Sequence, residues 1–201
     1  MILYGAGGHA KVICSCLEAN DIQIFGIFDD NPNLYEFNGI RVLGKYYKEK
    51  YPDESIIISI GDNIIRKKIS NKIEHEFGHI VHPSATVDRL VEIGEGSVIF
   101  HKSVIQRQVS IGKHAIINTA SSVDHDCLIG DFVHIAPNAT LCGGIIVGTG
   151  TLIGAGSVIK PGIKIGDWCT IAIGAVIHKD IPDYSVVVGN PGRIIKTNNV
   201  E

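Results

Sequence analysis

The sequence predicts two units of different class in tandem: a small α/β unit over residues 1–80 and an all-β solenoid over residues 81–201 that ends in a tail. Three observations carry this reading. The apolar residues are skewed toward the β-branched, with 35 Ile and 17 Val against 8 Leu and 11 Ala, and branched side chains lose rotamers in helices but pack well on pleated surfaces. From about Val81 to Ile181 the chain repeats with a period of six residues. Residues 1–80 lack that repeat and alternate short apolar runs with glycine-rich turns and helix-periodic stretches.

In the first unit, Ile2-Leu3-Tyr4 reads as a strand running into Gly5-Ala6-Gly7-Gly8-His9, followed by a helix with Val12, Ile13, Cys16 and Leu17 on one side. Cys14 and Cys16 on that helix read as ordinary thiols. A second strand, Gln23 to Phe28, ends in Asp29-Asp30; a third, Ser55 to Ile60, ends in Gly61-Asp62-Asn63. Ile65, Ile69, Ile73 and Phe77, at steps of four, predict a helix after it. Glycines at the first strand–helix turn and acids at the tip of the second strand form a Rossmann-like arrangement. It can hold a pyrophosphate on backbone N–H groups and a ribose or base on carboxylates.

In the second unit every sixth residue from Val87 to Ile177 is aliphatic without exception, and four places after each comes a small or aliphatic residue such as Ser97, Ala115, Cys127 or Thr151. Glycine often follows the aliphatic, as at Gly94, Gly112, Gly130, Gly148, Gly154 and Gly166, where a bend must avoid Cβ clashes. One large and one small inward position at a fixed short period describe coils stacked along an axis.

Composition excludes several function classes. With 18 basic against 21 acidic residues and a net charge of −3, no basic stripe marks a nucleic-acid or membrane surface. The start MILYGAGGHAKV has no cationic leader, no apolar run nears the roughly 18 residues of a membrane span, and five Cys without metal-type spacing fit reduced thiols; a cytoplasmic location is expected.

The period-six pattern resembles that of the hexapeptide-repeat acyltransferases. The motifs GAGGH, FDD, IGDNIIRKKI, NTASSVDHD and VVVGNPGR extend the likeness over nearly the whole chain, to the sialic acid O-acetyltransferase and UDP-4-amino-sugar (bacillosamine) N-acetyltransferase group. The resemblance implies a left-handed parallel β-helix of three hexapeptides per coil, and a homotrimer with active sites between subunits. It also implies acetyl-CoA-dependent N-acetylation of a nucleotide-linked amino sugar for surface glycan synthesis. The neighbouring readings are O-acetylation of a sugar such as sialic acid, a metal-dependent hydratase of the carbonic anhydrase type on the same solenoid, and a non-catalytic sugar-nucleotide binder.

Acyl transfer from a thioester needs a base for the acceptor's proton, and of nine His the candidate is His125, flanked by Asp124 and Asp126. The resemblance makes Asp126 the acid that raises its basicity. Consecutive strand residues point to opposite faces, so the pair can meet only at a coil corner; Asp124 or an acid from another subunit is the rival partner. With 18 residues per coil, His125 lies over Gly143, whose missing side chain should leave room beside the base. Ala155 and Ile173 lie one coil apart. The resemblance puts acetyl-CoA at those two positions, at Gly143 and at His134. Since His134 is half a coil from His125, a site using both is expected between subunits. For the acceptor, the resemblance assigns Gly7, Gly8 and His9 to the phosphates, Asp29, Asp30 and Gly61 to the nucleoside, and Asn118 to the reacting group. Asn63 and Arg66 are added from their place beside that site. No metal ligand is expected: His75, His79 and His82 read as surface or linker residues, and no Cys has a His beside it as a nucleophile would.

Overall fold

The computed structural model describes residues 1–198; the last three positions of the expected 81–201 unit lie outside the described residues. The chain opens with β1 (Ile2–Tyr4), α1 (Gly8–Glu18), β2 (Gly26–Phe28), β3 (Glu36–Phe37), β4 (Ile40–Gly44), β5 (Ile56–Ile58) and α2 (Asn63–Ser70). These strands form one sheet in the order β3-β4-β2-β1-β5, parallel except for β3. β1, β2 and β5 are buried throughout, as strands covered on both faces must be.

Two details differ from the sequence reading. The hairpin of β3 and β4, turning at Asn38-Gly39 with φ of 51° and 79°, is an added element whose Asn-Gly signal is in the sequence. The helix after β5 is short. It ends at Ser70, Ile65 on it is exposed, and Phe77 continues as extended chain pairing with Ile56. The four-residue spacing of Ile73 and Phe77 is thus a coincidence: both side chains reach the same apolar cluster from non-helical backbone.

From Ile80–Val81 to Val176–Ile177, two-residue strands recur every six residues and wind into a left-handed β-solenoid with three parallel sheets. Every ladder pairs residues 18 apart, as Ile117 with Ile135 and Ile135 with Ile153. The second residue of each strand points inward, and this series from Ile99 to Ile177 forms one continuous buried core with the small series. Among the small residues, the buried hydroxyls are all engaged. Thr151 Oγ1 donates to the Gly166 carbonyl (2.8 Å) and accepts from the Cys169 amide (2.9 Å). At Gly94, Gly112, Gly130, Gly148 and Gly166, one corner of successive coils, an added Cβ would collide with the corner above, which is why glycine stands there.

A hairpin of Ser185–Val188 and Arg193–Thr197, turning around a cis Asn190-Pro191 bond, closes the longest sheet. The outer face of that eight-stranded sheet carries the first unit: Ile80, Val98 and Ile116 share a buried cluster with Leu3, Ile13, Cys14 and Leu17.

Candidate active site

The solenoid turns three corners per coil, and left-handed backbone recurs at each. Asp126 has φ of 60° at the corner between the six- and five-stranded sheets. That bend brings consecutive side chains together: His125 Nδ1 and Asp126 Oδ2 are 2.7 Å apart. Asp124 is occupied otherwise, its Oδ1 accepting from the His125 backbone N–H at 2.8 Å. Of the acids flanking His125, Asp126 therefore holds the ring, and Asp124 holds the backbone beneath it. The Asp126 hydrogen bond, then the charge of Asp124, raise the His125 pKa above its ordinary value. An imidazole whose Nδ1–H is held by a carboxylate presents Nε2 as the basic atom, and the side chain is exposed to solvent.

Gly143 stands one coil above, as the 18-residue arithmetic requires, but the room beside it is not empty. A Cβ there would fall 2.6 Å from Cε1 and Nε2 of His125. The missing side chain is the space in which the imidazole itself lies.

The other sequence-predicted residues gather in two further places. Gly7, Asp29, Asp30 and Gly61 lie on the loops following β1, β2 and β5, and Gly8 and His9 in the first turn of α1, all at one edge of the parallel sheet. Gly7 and Gly8 are exposed, and Gly7 caps α1 without a side chain, leaving the first amides of that helix free for an anion. Asp29 fixes this loop, with Oδ2 on the Ala6 amide (2.8 Å) and Oδ1 on the Asn31 amide (2.9 Å). Asp30 accepts from Tyr4 Oη at 3.0 Å, and burial together with that acid pushes the phenol up to about 12. His9 is turned inward against Phe100 and lies 6.3 Å, ring to ring, from His134. Its Nε2 is buried without a partner, and burial, then His134 and Arg66, lower its pKa to about 3. The ring is neutral, so whatever it does for a phosphate it does without charge.

His134 belongs to this second group. It projects from the outer face of the eight-stranded sheet, its Nε2 3.0 Å from Asn118 Nδ2, and burial lowers its pKa to about 4. Ala155 and exposed Ile173 form the third group, at the corner between the eight- and six-stranded sheets. One chain therefore does not bring His134, Ala155 or Ile173 to His125. The physical reason is the 18-residue repeat: His134 stands half a turn from His125, and Ala155 and Ile173 stand two-thirds of a turn beyond it in higher coils.

Two expectations are corrected. Arg66 is fully buried, and all five of its N–H groups are consumed by protein acceptors: the carbonyls of His114, Ile60, Gly61 and Phe132 and Asn63 Oδ1, at 2.8–3.1 Å. Asn63 Nδ2 donates to the Gly150 carbonyl at 3.0 Å. Both residues join the two units, and Arg66 has no donor left for substrate. His75, expected at the surface, is buried between Tyr46 Oη (2.9 Å) and the Lys50 carbonyl (3.1 Å).

Sequence reasoning missed a cleft of about 340 Å³ beside Gly61, lined by Asn63, His134, Leu152, Trp168 and Asn198. Trp168 is the sole Trp, at a corner position with φ of 53°, and Lys67 Nζ lies 5.0 Å from its ring. A large aromatic at a corner whose neighbours along the chain, Gly156, Gly162 and Gly174, are glycine was the available signal. Among the described residues no three His, Cys, Asp or Glu side chains converge as a metal site would need, and no helix is long and apolar enough to cross a membrane.

Two known domain families match the chain: the PglD N-terminal domain over residues 1–73, and the bacterial transferase hexapeptide family (six repeats) over residues 126–161. UDP-N-acetylbacillosamine N-acetyltransferase of Bacillus subtilis (strain 168) is 34% identical over 104 residues, which are 47% of this chain and 48% of that protein. The chain spans less than half the length of the curated relatives it matches. Crystallised perosamine N-acetyltransferase from Caulobacter crescentus, a variant in complex with CoA and GDP-perosamine, superposes with a TM-score of 0.93 at 33% identity, over 97% of this chain and 96% of that one. The acetyltransferase domain of PglB from Neisseria gonorrhoeae FA1090 superposes with a TM-score of 0.89 at 35% identity, over 96% and 98%.

Proposed function

The chain belongs to the hexapeptide-repeat sugar acetyltransferases, and from that premise we propose that it transfers an acetyl group from acetyl-CoA to the amine of a nucleotide-linked amino sugar, with His125 as general base. The observation that carries the assignment is the corner dyad: an exposed imidazole held through Nδ1 by Asp126 and seated on Gly143. The neutral amine attacks the thioester carbonyl, His125 Nε2 accepts the ammonium proton, and the CoA thiolate leaves. Asp126 stabilises the imidazolium as it forms, and no acyl-enzyme intervenes. General-base assistance of this kind contributes about 10²–10⁴ in rate.

The acceptor's diphosphate lies on the free amides at Gly7 and Gly8, with the nucleoside toward Asp29, Asp30 and Gly61. Acetyl-CoA lies along the coils marked by Gly143, Ala155 and Ile173. Since these three groups are apart in one chain, the complete site is made between subunits of a trimer, where the corner of one copy faces His134 and Asn118 of the next. A location in the cytoplasm, where acetyl-CoA is available, and a role in surface glycan synthesis follow from the same reading. The amine is favoured over a sugar hydroxyl because one sequence relative is named UDP-N-acetylbacillosamine N-acetyltransferase and one solved relative, perosamine N-acetyltransferase, carries GDP-perosamine. The test is free-thiol release from acetyl-CoA with GDP-perosamine and with UDP-linked 4-amino sugars. Absence of release with every acceptor sinks the enzyme reading, and full activity in His125→Ala sinks the base.

A further inference from the structure

We propose that Arg66, together with Asn63, is a positioning residue that fixes the acceptor-binding loop 60–63 at the height of the coil bearing His125. The inference deepens the functional reading above and rests on it. His114, Phe132, Gly150 and Trp168 occupy one corner of four successive coils, 18 residues apart, with φ of 54°, 57°, 69° and 53°. Their carbonyls make a ladder whose rungs are taken in order by side-chain donors. Arg66 Nε holds His114 and Arg66 Nη2 holds Phe132, each at 2.9 Å. Asn63 Nδ2 holds Gly150 at 3.0 Å, and Asn198 Nδ2 holds Trp168 at 2.9 Å. The remaining Arg66 donors grip the loop itself: Nη1 bonds the carbonyls of Ile60 and Gly61 at 3.1 Å, and Nη2 bonds Asn63 Oδ1 at 2.8 Å.

Stability alone does not account for this guanidinium. It is 1% exposed, and among the described residues no carboxylate stands within ion-pair distance of it. A buried charge is often no better for stability than a well-packed apolar group, and its best-attested use is to fix a register. A register problem exists here. The two units meet through Ile80, Val98 and Ile116 on the flat outer face of a sheet, and apolar contact is non-directional. Carbonyl rungs spaced by one strand, about 4.8 Å, are directional and admit discrete positions only. His125 lies between the His114 and Phe132 rungs in sequence, so the arginine that spans those rungs ties Gly61 to the coil of the base. In an assembly of parallel solenoids that common height carries over to the neighbouring copy.

Arg66→Lys and Arg66→Met in the full chain test this. The readouts are thermal unfolding, amide hydrogen exchange, and thiol release with GDP-perosamine and UDP-linked 4-amino sugars. Exchange at residues 60–63 should rise while amides at Ile117 and Ile135 hold. kcat/KM for the acceptor should fall on the order of a hundredfold, the cost of a displacement of about 1 Å, with KM for acetyl-CoA unchanged. Folded variants with wild-type exchange at 60–63 overturn the proposal, as does equal loss toward both substrates in step with a lowered Tm. If the wild type releases no thiol, the functional reading falls, and the exchange comparison still decides whether Arg66 positions the loop. Should both variants fail to fold, Asn63→Ala, which removes one rung and one Arg66 acceptor, is put through the same measurements.

Discussion

Replacing Gly143 by Ala asks whether the imidazole of His125 must sit where the fold holds it. A Cβ at this position falls 2.6 Å from Cε1 and Nε2 of the ring and 3.2 Å from Nδ1, whereas ordinary contact begins at 3.4 Å. The ring must therefore retreat by about 0.8 Å, since carbon atoms gain contact energy only near 3.5–4.0 Å. The Gly143 backbone is in no left-handed region, so alanine fits the main chain and the fold is retained. A retreat of that size cannot preserve the 2.7 Å Nδ1–Asp126 bond, so the base loses both its place and its orienting partner. A misplacement of about 1 Å costs on the order of a hundredfold in rate, about 2.7 kcal/mol of transition-state stabilisation. The assay is kcat/KM by thiol release beside Tm. Gly144→Ala serves as the control, because its φ of +69° strains an alanine by about 1–2 kcal/mol while its added Cβ meets open space. Wild-type kcat/KM in Gly143→Ala, or a loss mirrored by the control, refutes the seated-imidazole reasoning.

Three further outcomes are expected. In Asp126→Asn the acid limb of the kcat/KM–pH profile should move to lower pH, because the hydrogen bond that raises the His125 pKa loses its charge. The rate on the alkaline plateau should also fall; an unmoved limb argues that Asp126 does not tune the base. His9, His114 and His134 are held neutral, at about 3, 4 and 4, by burial. Below the ordinary His value of about 6.5 the unfolded chain binds protons that the folded one refuses, so Tm should drop as pH falls from about 6.5 toward 4. A flat Tm across that range would contradict their burial. Thr151→Val should cost about 1–3 kcal/mol in denaturant unfolding, since it leaves the Gly166 carbonyl and Cys169 amide unpaired inside the coil. Thr151→Ser should recover most of the loss, and a neutral valine would show that those groups find other partners.

The solenoid was legible residue by residue because its side-chain period is its structural period: a residue at Ile135 meets residues at Ile117 and Ile153 whatever the rest of the chain does. The coil relation of His125 to Gly143 was legible for the same reason, whereas the residues left open which acid pairs with the ring, and the left-handed corner at Asp126 decided it. The first unit was read less well. Local spacing suggested a helix reaching Phe77, but the pairing of Phe77 with Ile56 across the sheet decided otherwise. Arg66 looked like a substrate-binding residue because sequence shows a cation on a helix beside the acceptor site and does not show the acceptors that consume its donors.

What the sequence by itself determined was everything fixed by contacts at constant separation: the coils, the inward aliphatic series, the glycine corners, and the place of Gly143 one coil from His125. What only the tertiary structure decided was the meeting of the two units. There His9 and His134 are desolvated into neutrality, and Arg66 is committed to the carbonyl ladder. Those outcomes depend on which surfaces are removed from water and which donors find acceptors, and no pattern along the chain carries that information.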